Sequence, residues 1–306
     1  RGARGGRPPP PHTKSCANSP SPFPGAPPLA RPSGIMQPYQ SPQRTAGPNY
    51  PIAAAPARPA RAVPSSVHRA PAPAPQKEKI ERALKHTYDA EKDEWTRESV
   101  LVIIDAKPFQ QGCMRTAHHM TEVEEDGCRC AFVAKFTKIS VTADSIFEDS
   151  KLSMISQLYA DEFNRVSGVD KKIAFLPSYV LVLQDRGNLL CCSEPVLSGN
   201  YLKHNNNDGV VATARMVPQA FTHFTWECSR QKILICDIQG VGDYYTDPQI
   251  LSADGAGFGL GNAGVEGVIK FMKTHQCNEI CRHIGLTPSQ QTLPGLQHLL
   301  ASQRPP

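Results

Sequence analysis

Acidic side chains are missing from the first quarter of this 306-residue chain, where no Asp or Glu precedes Glu78. The same stretch holds 20 of the 29 prolines and lacks the apolar content that offsets the entropy of ordering a backbone, which excludes a packed core there. Residues 1–78 are therefore predicted to be a disordered Pro/Ala/Arg-rich tail. Its prolines also exclude the amphipathic helix of a transit peptide. Its basic residues are not interleaved with aromatics and the remaining body is slightly acidic, so a nucleic-acid partner is not expected. No apolar run approaches the ~18 residues that cross a bilayer, so no membrane partner is expected either. No signal peptide is visible, and the ten cysteines read as reduced thiols of a cytoplasmic protein, with Cys113, Cys130, Cys191, Cys192 and Cys236 in or beside apolar strands. The chain opens on Arg1 rather than Met, as a piece of a longer protein would, and no internal repeat is present. Nothing in the sequence speaks to oligomeric state.

What is present begins after the tail. Charged residues alternate with few apolar ones over 79–99, predicting an exposed lead-in helix or linker. Strands are expected over 100–105, after Arg115 and over 130–136, with a turn at 124–127, followed by a long amphipathic helix from Ile146 to Phe163. Two further strands, over 173–183 and 189–197, complete a first lobe of about 100–197. A mostly helical second lobe follows over about 198–290, and 291–306 reads as a flexible tail. The fold class is α+β: two lobes with a cleft between them.

The chemistry concentrates in residues 233–250, where an apolar strand ends in Asp237, Gln239, two glycines and Asp247. Extended geometry would aim Asp237 and Gln239 to one side, and two such oxygen ligands suit Mg²⁺ shared with phosphates and water. An Asp at a strand end also caps turns, and Thr246-Asp247-Pro248 is by itself an ordinary turn. Gly259, Gly261 and Gly264 fit G-x-G-x-x-G, but lie far past the first lobe and outside a βαβ unit, so a dinucleotide site is not expected. A helix-entry turn capped by Asn262 is the plainer alternative. His275, Cys277 and Cys281 stand at metal-ligand spacing, the two thiols one helical turn apart, which points to structural Zn²⁺; two buried helical cysteines beside a surface histidine would give the same pattern.

The run Asp-Ile-Gln-Gly-Val-Gly, the run Thr-Asp-Pro-Gln-Ile, the glycine-rich segment and Asn-Glu-Ile-Cys together resemble the catalytic domain of the α-kinases over most of 101–286. This atypical protein kinase family includes myosin heavy chain kinases, elongation-factor kinase and channel-kinases, and it is expected to lack the His-Arg-Asp and Asp-Phe-Gly runs that are absent here. The resemblance implies an α-kinase-type domain over 100–290 with a two-lobed protein-kinase-like fold and a zinc site in its second lobe. It implies ATP, Mg²⁺ and Zn²⁺ as cofactors and a protein substrate phosphorylated on serine or threonine, threonine favoured. Lys135 would contact the ATP phosphates, Glu194 would lie at a hinge beside the adenine, and Gly112 and Arg115 would belong to a phosphate-covering loop. Asp237 and Gln239 would hold Mg²⁺, Asp247 would serve the acceptor hydroxyl, and Gly259, Gly261 and Gly264 would form a substrate loop. His223 would complete the zinc ligand set, with His283 its nearest competitor. A zinc-stabilised binding module without catalysis is the other reading.

Overall fold

The computed structural model describes residues 78–170 and 172–303. The predicted disordered tail lies outside the described residues, apart from Glu78.

Residues 79–99 are not a helix or linker. They form β1 (Glu81–Asp89) and the first half of β2 (Glu94–Ile104), an antiparallel pair. The charge alternation that suggests an exposed segment is a period-2 strand pattern in which Glu81, Ala83 and Lys85 point inward. The inward charges are matched. Arg186 Nε donates to Glu81 Oε2 at 2.6 Å, and Lys85 Nζ donates to Glu122 Oε1 at 2.8 Å. After β3 (Gln110–Gln111), β4 (Arg115–Val123) and β5 (Arg129–Thr137) comes helix α1 (Ala143–Val166), whose Thr142 cap accepts from the Ser145 amide.

The apolar run over 173–183 is two elements rather than one strand. Pro177, which has no N–H to give a ladder, separates β6 (Ala174–Phe175) from β7 (Tyr179–Leu183), and the two join different sheets. With β8 (Leu189–Pro195), the first lobe is a seven-stranded sheet in the order β2-β1-β7-β8-β5-β4-β3, and β2 also pairs with β4 so that the sheet closes on itself. Val102, Met120, Ala134, Leu181, Leu183 and Cys191 fill its interior.

The second lobe starts with β9 (Tyr201–Lys203) and continues through α2 (Met216–Cys228), β10 (Ile233–Cys236), β11 (Gln239–Val241), β12 (Tyr244–Thr246) and β13 (Gln249–Ser252). Strands β6, β12, β11 and β9 form a four-stranded sheet, and β10 pairs with β13. Leu152, Ile155, Tyr159 and Phe163 of α1 pack on Phe221 and Phe224 of α2; the Phe163 and Phe221 rings meet edge to face at 5.6 Å. The chain then forms α3 (Gly264–Thr274), α4 (Glu279–His283) and α5 (Ser289–Gln303). The flexible tail expected from 291 is therefore helical as far as Gln303. Leu296 is buried with Phe271 and Met272, and Ser289 Oγ donates to the His275 carbonyl at 3.1 Å.

Lys85 also lies 3.6 Å from the exposed Glu98 carboxylate and stands over the Tyr179 ring at 4.5 Å, so Glu122 is its buried carboxylate partner. Lys85→Met strands the Glu122 carboxylate there and should destabilise the domain by about 3–5 kcal/mol. Lys85→Met with Glu122→Leu should recover most of that loss in chemical denaturation, and a double variant as unstable as the single one contradicts this account of the pair.

Candidate active site

Alternation along β5 places the central cation. Phe132, Ala134 and Phe136 face the barrel core, so Val133 and Lys135 face the other way, into a cleft of about 300 Å³ between the lobes. Lys135 Nζ lies 2.6 Å from Asp247 Oδ2 and 2.7 Å from Glu194 Oε1. Thr246 Oγ1 donates to Glu194 Oε2 at 2.5 Å. One ammonium thus joins a barrel strand, the end of β8 and the residue after β12. Burial alone would lower the Lys135 pKa, but the Asp247 and Glu194 carboxylates outweigh it and raise it. Burial pushes Glu194 up against the pull of Lys135, whereas Asp247, also raised by desolvation, is held below the ordinary carboxylate range by Lys135 and Arg115. Glu194 lines the cleft, with its carboxylate on Lys135 and Thr246.

The second-lobe sheet sets the rest by register. Lys203, Gln239 and Thr246 are directly opposite one another across β9, β11 and β12 and so share a face. Gln239 Nε2 donates to the Asp247 carbonyl at 3.2 Å, and Lys203 Nζ lies 2.9 Å from Asp237 Oδ1 without hydrogen-bond alignment. Asp237 and Gln239 are not on one extended strand as the sequence suggests. Asp237 has φ 60° and Asp247 φ 49°, left-handed positions that turn each carboxylate out of its strand. Gly240 permits this hairpin: its φ is 154°, and a Cβ there would come within 2.0 Å of the Tyr244 carbonyl oxygen. The buried Asp237 Oδ1 makes no hydrogen bond and has only the Lys203 ammonium beside it, and carboxylate and amide oxygens such as those of Asp237 and Gln239 are of the type that suits Mg²⁺.

Gly112 sits in the turn joining β3 to β4 and Arg115 is the first residue of β4; the Gly112 amide donates to the Arg115 carbonyl at 2.9 Å, and both line the cleft. Arg115 hydrogen-bonds Asp149 and lies 3.6 Å from Asp247 Oδ1. Sequence reasoning missed Asp149, Lys203 and Tyr201, which also lines the cleft. Asp149 carried a signal: it falls three residues after buried Ile146 and four before buried Ser153, on the inward stripe of α1. Gly259 and Gly261 border the same region. A Cβ on Gly261 would lie 1.6 Å from Gln249 Oε1, and one on Gly259 would lie 3.3 Å from Asp149 Oδ1. Gly264 opens α3, and Asn262 accepts from its amide at 3.0 Å, while the formal cap is Ala263.

His223, His275, Cys277 and Cys281 each offer one ligand atom, and the four lie within 4.8 Å of one another. Cys281 Sγ is 3.6 Å from His275 Nε2 and Cys277 Sγ is 3.8 Å from His223 Nδ1. Tetrahedral bonds to zinc of about 2.3 Å from sulfur and 2.0 Å from nitrogen place such donors roughly 3.6 Å apart, so the set fits that ion. Burial lowers His223 to about 4 and His275 to about 3, which keeps both imidazoles neutral and able to donate a lone pair. The two thiols do not share a helix turn, because Cys277 precedes Asn278, the cap of α4; a bend before the helix brings them together. His283 is exposed and outside the cluster, and Cys113, expected near an apolar strand, is exposed.

A barrel-borne lysine facing a cleft, with a carboxylate of the opposing lobe across it, is a fixed charge able to hold phosphate oxygens. The alpha-kinase family model matches residues 110–281, more than half of the chain, and the chain belongs to that family. It is 44% identical over 211 residues to myosin heavy chain kinase B of Dictyostelium discoideum, covering 67% of this chain and 29% of that protein. It is 38% identical over 217 residues to eukaryotic elongation factor 2 kinase of Homo sapiens, covering 68% of this chain and 30% of that one. The chain thus spans under a third of the length of these curated relatives. The solved alpha-kinase domain of myosin heavy chain kinase A in complex with ADP aligns with a TM-score of 0.65 and 35% identity, over 70% of this chain and 99% of that one. The inactive domain complexed with ATP aligns equally well, at 0.65 and 35% over 69% and 98%.

The hairpin geometry is directly testable. Gly240→Ala should destabilise the domain by more than about 1 kcal/mol in thermal denaturation, because its Cβ meets backbone at a φ that alanine avoids. Gly112→Ala, whose Cβ would meet nothing nearer than 3.8 Å, should melt close to the parent. Equal melting of all three proteins contradicts the close approach at Gly240.

Proposed function

We propose that this chain is an ATP-dependent protein kinase domain that transfers the γ-phosphate to a serine or threonine hydroxyl of a protein substrate. The observation that carries the reading is the meeting of Lys135 and Asp247 at 2.6 Å from opposite walls of one cleft. Relatives described as kinases, and a related domain solved with ADP, support it.

Phosphoryl transfer needs positioning and charge neutralisation more than covalent help. Lys135, oriented by Glu194, would hold phosphate oxygens, with Gly112 and Arg115 over them. Asp237 and Gln239 would hold Mg²⁺, which neutralises phosphate charge when bound. Asp247 would orient the acceptor hydroxyl and take its proton as the new oxygen–phosphorus bond forms and the bond to the ADP oxygen breaks. With ATP in place its phosphates would share Lys135, freeing Asp247 for the acceptor. Preference for threonine over serine follows from the family likeness. His223, His275, Cys277 and Cys281 would hold a structural Zn²⁺ clamping α2 to the α3–α4 connection. Such an ion can contribute on the order of 10 kcal/mol of folding free energy. A cytoplasmic setting belongs to the same reading, supported by nine free thiols among the described residues. Among those residues no helix is long and apolar enough to cross a membrane.

Asp247→Ala should lower phosphorylation of basic proteins and Ser/Thr peptides by at least about 100-fold while zinc content stays at the parent value. A parent domain that binds Mg-ATP yet phosphorylates no acceptor defeats the kinase reading. Elemental analysis should give one zinc per chain, and His275→Ala or Cys281→Ala should yield insoluble or early-melting protein. Soluble variants with unchanged melting and no zinc in the parent would remove the metal from the account.

A further inference from the structure

Asp237 and Gln239 are separated by one residue, Ile238, whose side chain is fully buried in the second-lobe core. Both backbone polar groups of Ile238 are taken by the segment that follows β9. The His204 amide donates to the Ile238 carbonyl at 2.8 Å, and the Ile238 amide donates to Asn205 Oδ1 at 3.0 Å. Asn205 is itself 0% exposed. Its Nδ2 donates to Gln219 Oε1 and to Thr222 Oγ1, each at 3.1 Å, and both partners are buried positions of α2.

This network admits one orientation. A backbone carbonyl only accepts, so Gln219 turns its Nε2 to the His204 carbonyl, 3.0 Å away. That leaves Gln219 Oε1 toward Asn205, which must answer with Nδ2 and so present Oδ1 to the Ile238 amide. A buried asparagine that satisfies a backbone amide is ordinarily structural. Here the amide belongs to the residue between Asp237 and Gln239, directly after the left-handed turn at Asp237. Rotation of that peptide would move the Asp237 carboxylate and the Gln239 amide together. Asp237 Oδ1 has no hydrogen bond of its own, so its direction depends on the backbone that carries it. The anchor is α2, where Thr222 immediately precedes His223 of the His/Cys cluster.

We propose that Asn205 is a positioning residue for the divalent metal of phosphoryl transfer, fixing the Ile238 amide and through it the spacing and direction of Asp237 and Gln239. The inference rests on the reading of those two residues as Mg²⁺ ligands. Asn205 adds no ligand and no contact with nucleotide. It acts through one accepted hydrogen bond, so a replacement that keeps an oxygen at the Oδ1 position keeps the role, whatever it does to packing against α2.

The test is a titration of the full chain with Mn²⁺ in the presence of ADP, read by electron paramagnetic resonance; Mn²⁺ takes the same oxygen ligands as Mg²⁺. Asn205→Ala should weaken Mn²⁺ about tenfold, the low end of what loss of a residue supporting a metal ligand costs. Affinity for ADP without metal, and zinc content, should stay at the parent values. Asn205→Asp keeps the accepting oxygen but sets a buried carboxylate against Gln219 Oε1. It should melt below the parent and still hold Mn²⁺ within about twofold of it, because the Ile238 amide keeps its partner. A purely structural asparagine gives another order, with metal affinity following melting temperature. If Asn205→Ala does not fold, Thr222→Val removes one anchor of Asn205 with little change of shape and should weaken Mn²⁺ about threefold. The proposal is overturned if Asn205→Ala, or Thr222→Val in its stead, binds Mn²⁺ as the parent does. It is also overturned if Asn205→Asp loses as much as Asn205→Ala, if ADP affinity without metal falls in step with Mn²⁺, or if the parent binds no Mn²⁺. A parent that binds Mn²⁺ with ADP yet phosphorylates no acceptor defeats the kinase reading alone, while the order of Mn²⁺ affinities still decides this one.

Discussion

One ammonium group organises the molecule. Lys135 Nζ is within 2.7 Å of carboxylates from two other parts of the chain, Glu194 at the end of β8 and Asp247 after β12. Removing any one of the three from water is unfavourable alone, and the trio is tolerated because each charge is answered in place. The answer holds only if the barrel closes so that β5 presents alternate residues to opposite sides, and only if the β11–β12 hairpin brings Asp247 across. The first lobe supplies the cation and one carboxylate; the second supplies the other. A substrate with its own negative charge enters a site whose positive charge is already fixed and largely shielded from solvent.

The second-lobe hairpin is held by a different constraint, close approach of backbone to backbone. Gly240 packs onto the Tyr244 carbonyl, which allows Gln239 and Thr246 to lie opposite each other and the two aspartates to turn outward through left-handed positions. Such positions are unfavourable for most residues and persist where surrounding structure fixes them, as the α2, β10 and β13 core does here. The His/Cys cluster lies behind that core, joining α2 to the segment after α3.

Much of the site could be read from the chain because its residues are local. Asp237, Gln239 and Asp247 fall within eleven positions, and His275, Cys277 and Cys281 within seven. The period-2 pattern of β5 and the apolar stripe of α1 were equally plain. Legibility failed where a residue's partner is remote. Glu81 and Lys85 read as solvated charge because Arg186 and Glu122, which match them, lie about 105 and 37 positions away. Pro177 split an apolar run that periodicity alone joined. Helix α5 looked like a tail because its buried contact, Leu296, packs on α3 rather than on its own neighbours. Asp149 stayed unremarked because a carboxylate on a helix becomes a site residue only when Arg115 meets it.

Sequence by itself determined the donor types available, ammonium, carboxylate, amide, imidazole and thiol, in an order that resembles one family. It did so because donor types and short spacings are properties of the covalent chain. Tertiary structure alone decided which of those groups share a charge and which of them face the cleft. Those outcomes depend on barrel closure and strand register, where a shift of one residue would turn Lys135 into the barrel core and away from Asp247.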